Sequence, residues 1–448
     1  MSKVLSSRAA IEKTVSKALR DQPIVDMHTH LYPPTFGTPV PNRTGKTDPA
    51  GLLLWGLDEL LTYHYLVAET YRVVPAHTKS GGLAYEDFWK MSKQQQADHI
   101  WKHLFVERAP MSEACHGVLT CLKLLGLEVG PKKDLEKLRK WFAQQDPDKY
   151  IDRVMEISNV QSITMTNPVF DDNERERWLK DAPTLRGDPR FKSVLRIDPV
   201  LRNWPGAAKK LTAWGFDAGN GKTLSAKNID EGKRFLREWL DRQNAVYMAL
   251  SLPPEFRYPA ESDDPAEKAG QIALEKIILP VAAERGLPFA MMIGSKMRVN
   301  PALGDAGDMV GKSDVQAVVR LCAGFPQNKF FVTMLARENQ HELCVAARKF
   351  GNLMIFGCWW FLNNPSLIEE ITRMRFELLG TSIIPQHSDS RVLDQLLYKW
   401  DHSRAIIGKV LVDKFSDVMD TGWVLTEADV KNDVERLFRG NFLEFLAR

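Results

Sequence analysis

Two histidines separated by one residue, His28 and His30, close the apolar run Ile24-Val25-Asp26-Met27. In a strand, residues i and i+2 project to the same face. Two neutral imidazoles on one side of a strand end can grip a single divalent ion, and imidazole suits zinc, iron, nickel or copper. A catalytic zinc keeps about three protein ligands and one open position. Asp389, far along the chain, offers the third. Other groups in the same pattern, a candidate strand followed by polar residues, are Thr166 to Asp172, Arg196 with Asp198, Ser295 to Arg298, Arg337 with Asn339, Trp359-Trp360-Phe361, and His387-Ser388-Asp389-Ser390-Arg391.

Each group has a second reading. Asp389 after a strand serves equally as a helix N-cap. Arg196 and Arg391 serve equally to neutralise Asp198 and Asp389. Trp359-Trp360 suits packing as well as a binding wall. His77, His99, His103, His116, His341 and His402 read as surface or core residues, and Cys358 as a small buried apolar group.

The elements that must position these groups follow a rhythm. Apolar, β-prone runs fall at 23–28, 161–166, 192–197, 245–251, 288–293, 329–334, 353–358 and 381–385. Helical patterns fall between most of them, at 230–243, 267–285, 313–323, 339–349 and 365–378. Alternation of this kind predicts parallel strands, and eight of them predict a (β/α)8 barrel. Such barrels carry their chemistry at the C-terminal ends of the strands. A short helix is expected over 5–20, and residues 32–50 read as a Pro- and Gly-rich loop. Residues 51–148 show helical periodicity and no clear strand. The division expected is 1–50 for the first helix and strand, 51–150 for a helical insertion after the first strand, and 151–448 for the rest of the barrel with C-terminal helices.

Composition excludes several classes. The chain has 448 residues, 44% of them hydrophobic and 26% charged, enough to bury a sizeable core. Its net charge of +3, without a basic block, predicts no nucleic-acid partner. Five cysteines without a Cys-x-x-Cys pair suggest reduced thiols rather than a disulfide framework or zinc finger. No secretion leader and no apolar run long enough for a membrane span is expected, and a cytoplasmic location follows.

Taken together, these residues resemble the uronate isomerase (glucuronate isomerase) family of the amidohydrolase superfamily. The resemblance rests on Asp26-Met27-His28-Thr29-His30-Leu31, on His64-Tyr65 with Arg72, and on Arg196-Ile197-Asp198. It rests also on Gly357-Cys358-Trp359-Trp360-Phe361 with Asn363, and on Ser388-Asp389-Ser390-Arg391. The chain departs from the family at Met292-Ile293-Gly294, where the family has His-Ile-Gly, and a methionine is no proton donor. The family's arginine shortly afterwards corresponds to Met297 or Arg298.

The resemblance implies metal-assisted isomerisation of a hexuronate, such as D-glucuronate to D-fructuronate or D-galacturonate to D-tagaturonate, by proton transfer through an enediol. It implies that His28, His30 and Asp389 hold a divalent metal, zinc before others. Asp389, with Tyr65 or His64, would move protons. Arg196, Arg391 and Arg298 would bind the substrate's carboxylate, and Trp360 would face the sugar. The partner implied is a small sugar acid, and the helical insertion is a candidate surface for self-association. The alternative is another metal-dependent member of the superfamily, a hydrolase, lactonase or decarboxylase acting on a small carboxylic acid.

Overall fold

A computed structural model describes residues 2–40, 48–76, 82–185, 187–221 and 223–448. His77 and the middle of loop 32–50 lie outside them. Seven parallel strands form one curled sheet in sequence order. They are β1 (Ile24–Thr29), β2 (Val160–Pro168), β3 (Phe191–Arg196), β4 (Ala245–Leu252), β5 (Phe289–Ile293), β6 (Phe330–Met334) and β7 (Leu353–Ile355). The β-branched and apolar residues of these runs are buried on both faces, as a sheet wrapped in helices requires.

Alternation along the strands sorts side chains into two layers. In β4, Tyr247 and Ala249 point into the barrel while Met248 and Leu250 pack outward on the helices. The interior also holds Met27, Val194, Met292, Phe331 and Phe356. Phe442 and Phe445, on the last helix (Asn441–Ala447), plug it: Phe331 lies 5.8 Å and 4.8 Å from the two rings.

The eighth position differs from the expected strand at 381–385. Only Ile384 pairs there, with Phe356, and Pro385 next to it has no N–H to give a ladder. The Gln386 side chain takes over, accepting from the backbone N–H groups of Cys358 and His387. The chain then runs on to β1, where Asp389 N donates to His28 O at 3.1 Å and His30 N to Ser390 O at 2.8 Å. The barrel closes at this point, so the two histidines and Asp389 are neighbours by construction.

Between β1 and β2 every regular element among the described residues is a helix, from the single turn Pro34–Phe36 to Pro147–Ser158. Expected helix boundaries hold where capping is strong. The pattern at 365–378 is Pro365–Leu379, with Asn364 accepting from Leu367 N and proline in the first turn, where its missing N–H costs nothing. No described helix is long and apolar enough to cross a membrane, and all five cysteines are free and buried.

Candidate active site

His28, His30 and Asp389 meet at the C-terminal mouth of the barrel, with ligand atoms all within 4.8 Å of one another. Asp389 Oδ1 lies 3.4 Å from His28 Nε2 and 3.2 Å from His30 Nε2. His28 Nε2 and Asp389 Oδ1 are buried without hydrogen-bond partners. Burying such groups is costly unless something pairs with them, and a cation among the three would do so.

The protonation states fit the same reading. Burial pushes the His30 imidazole down to about 3, so it is neutral, the form that ligates metal. Protonated imidazoles at His28 and His30 would hold the Asp389 carboxyl well below the usual carboxylate range against the effect of burial; with the Nε2 lone pairs turned inward, a cation among the three would supply that stabilisation instead. The His30 tautomer is also fixed. Thr166 Oγ1 spends its hydrogen on Thr29 O at 3.0 Å, so it accepts from His30 Nδ1, also at 3.0 Å. The Nε2 lone pair is left free to take an ion, and Thr166 stands where metal-binding histidines usually have a supporting contact.

Strand β1 is anchored from below by the fully buried Asp26 carboxylate. It accepts from Ser388 N, His28 N and Trp400 Nε1, tying β1 to the closing segment and to the helix Gln395–Asp420. His387 packs under His28 at 5.2 Å between ring centroids, with both nitrogens unpartnered. Asp389 itself sits at φ 52°, a left-handed conformation that costs a non-glycine residue about 1–2 kcal/mol. Strain of this kind gathers at functional sites.

A narrow cleft of about 100 Å³ opens over these groups, with room for one small molecule. His64, Tyr63, Arg196, Arg391, Met292, Met297, Trp359 and Trp360 line it. Arg196, at the end of β3, is held rigidly by Asp198 (Nε to Oδ2 2.8 Å, Nη2 to Oδ1 3.0 Å) and by Ser251 Oγ at 3.0 Å. Nη1 has no protein partner among the described residues and remains for a ligand. Arg391 is held loosely, 3.6 Å from the exposed Asp305. Trp360, also left-handed at φ 48°, stacks on Phe361 and buries an unpartnered Nε1.

Two expected site residues are not on this wall. Arg298 is exposed, its backbone N donating to Asp308 at 2.7 Å, and Met297 takes the place facing the cleft. Of the two residues expected at that position, Met297 lines the cleft. Tyr65 stands behind His64, its ring edge-on at 4.5 Å and its hydroxyl buried without a partner. His64 and Tyr65 begin the helix His64–Val73, where successive residues point about 100° apart, so both cannot face one narrow cleft. Tyr63, whose backbone is still extended (φ −63°, ψ 141°), does face it. Burial pushes the His64 imidazole down to about 3, so it is neutral, and its Nε2 lacks a partner. Sequence reading also passed over Tyr63, Ser251 and Lys399. Lys399 is a buried amine whose Nζ has no hydrogen-bond partner, 6.0 Å from the Tyr65 ring centre.

A closed parallel barrel with a His-x-His pair ending its first strand and an aspartate at its eighth position defines a metal-site enzyme of the amidohydrolase-like superfamily. No protein-family model matches the chain. No curated protein sequence does either. Among solved structures, a uronate isomerase from Bacillus halodurans C-125 is 49% identical, with a TM-score of 0.89 over 99% of this chain and 98% of that one. At that identity over the full length, the chain belongs to the uronate isomerase family. The fold is shared with a uronate isomerase from Thermotoga maritima (14% identity, TM-score 0.74, 99% of this chain and 100% of that one). It is shared also with glucuronate isomerase from Caulobacter crescentus (14% identity, TM-score 0.67, 100% of this chain and 95% of that one).

Proposed function

We propose that this chain interconverts an aldose acid and its ketose acid, a hexuronate in open-chain form, using a zinc ion held by His28, His30 and Asp389. The convergence of those three side chains with two guanidinium groups around one cleft is the observation that carries this reading. When bound, the ion supplies Lewis acidity at a substrate oxygen. The remaining chemistry falls to the protein. Arg196, pre-oriented by Asp198, and Arg391 bind the substrate carboxylate, since planar guanidinium matches a carboxylate in bidentate fashion.

Asp389, ionised, takes the proton from C2 of the aldose while neutral His64 gives one to the C1 oxygen. In the enediol so formed, His64 recovers a proton from the C2 hydroxyl and Asp389 returns its proton to C1. One carbon-bound and one oxygen-bound proton have moved, and no oxidant is consumed. His64 has this role rather than Tyr65 because it lies on the cleft wall; Tyr65 braces its ring. Trp360 offers an apolar face to the sugar chain, and Met292, unable to donate, contributes shape alone.

Turnover of D-glucuronate and D-galacturonate in heavy water tests the reading. Deuterium from solvent is expected at C1 of the ketose product to the extent that the proton on Asp389 exchanges before it is returned, and the label of a C2-deuterated substrate is expected to leave C2. Isomerisation with complete transfer of the C2 label and no solvent exchange in Asp389→Asn, at parental rate, would exclude Asp389 as the carbon base. The family's activity and the free buried thiols fit a cytoplasmic enzyme of sugar-acid metabolism.

A further inference from the structure

The helical insertion and the turn after β5 enclose a second cavity, of about 550 Å³, that the chemistry above does not use. It adjoins the catalytic cleft, since Tyr63, His64 and Arg391 line both spaces. The Arg391 guanidinium marks the boundary: its ion partner at 3.6 Å is Asp305, which lines the outer cavity and not the cleft. Two bonds join the insertion to the turn Pro301–Gly307 across the outer cavity. Trp89 Nε1 donates to Ala302 O at 2.9 Å, and Asn300 Nδ2 donates to Tyr85 OH at 3.4 Å. The Trp89 indole is therefore fixed in orientation, yet it stays 46% exposed on the cavity wall. The charges on this wall are matched, Lys93 with Glu59 at 3.1 Å and Arg391 with Asp305. An uncovered indole beside Val67 and Pro301, with no net charge, suits a neutral ring that is polar at its rim and apolar on its face. Sites for small molecules span about 300–1,000 Å³ and are mostly apolar with a few polar groups. The outer cavity falls in that range, whereas the cleft of about 100 Å³ holds little beyond the reacting acid.

We propose that the outer cavity is a subsite for a second, neutral sugar linked to O4 of the hexuronate, so that the enzyme isomerises the reducing-end hexuronate of a disaccharide as well as the free acid. The proposal rests on the reading above, in which His64 serves C1 and C2 and Arg391 binds the carboxylate at C6. Both residues belong to the wall common to the two spaces, so C3 to C5 run along that wall and a group on O4 leaves the cleft there. The second ring then lies on the face of Trp89. The reaction is unchanged: the pyranose ring closes through O5, so a hexuronate substituted on O4 still opens to its aldehyde. The same two protons move, and the glycosidic bond stays intact.

The test is steady-state kinetics of the metal-loaded enzyme with D-galacturonate and D-glucuronate, each free and carrying an α-L-rhamnosyl group on O4, for the parent, Trp89→Ala and Ala302→Phe. The parent should isomerise the rhamnosyl compound with a KM no higher than that of the free acid. Trp89→Ala should raise KM for the rhamnosyl compound by about tenfold, the scale of a lost aromatic contact. Ala302→Phe, which sets a ring into the cavity, should do the same. Both variants should keep KM and kcat for the free acid within about twofold of the parent, which also shows that they fold. A parent that turns over the free acid and not the rhamnosyl compound overturns the subsite and leaves the isomerase reading standing. A parent inactive on both removes that reading and the subsite with it. Equal rises in KM for the two substrates in Trp89→Ala, or no rise for the rhamnosyl compound in either variant, would also overturn the subsite, because the second ring would then lie elsewhere.

Discussion

Gly357 is where the metal site is most exposed to a small change far from any ligand atom. It follows β7 at φ 65°, and a methyl group there would fall 1.8 Å from His387 Nδ1 and 2.3 Å from Cε1. Relief requires the ring to move by about 1 Å or more, and close-packed interiors absorb little of that. His387 is wedged between Phe356 and His28, both at 5.2 Å between ring centroids, so the displacement passes directly to a proposed metal ligand. Overpacking costs typically about 1–3 kcal/mol, and the left-handed backbone adds about 1–2 kcal/mol for a residue with a Cβ. Gly357→Ala should therefore lose about 2–5 kcal/mol of stability. It should also bind zinc at least about tenfold more weakly, the scale seen when support behind a ligand is lost. Calorimetric melting with and without chelator, and zinc titration of the apoprotein, read both effects. The double variant Gly357→Ala/His387→Ala should recover more than about 1 kcal/mol, because adjacent sites couple. A Gly357→Ala protein with parental melting and parental zinc affinity would refute the claim that His387 transmits packing to His28.

Three further outcomes follow from the same geometry. Arg196→Lys cannot reproduce the fork that engages both oxygens of Asp198, so KM for the hexuronate should rise by about tenfold or more; steady-state kinetics showing an unchanged KM would remove Arg196 from substrate binding. Lys399→Met should melt at a higher temperature than the parent, since an unpartnered buried polar group costs on the order of 1–3 kcal/mol, and a lower melting temperature would show that the amine has a stabilising partner. Burial pushes the Glu174 carboxyl from 4.5 up to about 8 despite bonds from Tyr32 and Trp178. The folded chain then keeps a proton that the unfolded chain releases, so this contribution is complete below about pH 4.5 and is lost as pH rises through about 8. Melting temperatures across that range should fall more steeply for the parent than for Glu174→Gln, and parallel slopes would contradict the assignment.

Much of the barrel was legible because its strands are continuous apolar runs separated by helical periodicity, a pattern local enough to read residue by residue. The eighth strand was over-read for a physical reason. Thr381 to Pro385 has strand composition, but its pairing is taken over by the Gln386 side chain and by bonds to β1, which composition does not encode. His28, His30 and Asp389 were legible because ligand type and strand position coincide. Tyr63 was not, since its place on the wall depends on where the helix begins, and the turn after β5 sets Met297 rather than Arg298 against the cleft. The plug formed by Phe442 and Phe445 depends on contacts between chain ends that no local pattern carries.

The central claim is that one cation, held by His28, His30 and Asp389, is needed for isomerisation. Elemental analysis of the purified protein, with hexuronate turnover measured on the same samples, tests it most directly. About one zinc per chain is expected in the parent, with metal and turnover lost together in His30→Ala and Asp389→Ala and restored to the chelated parent by zinc. A metal-free parent that isomerises a hexuronate at full rate, or a His30→Ala protein that keeps its full complement of zinc, would contradict it.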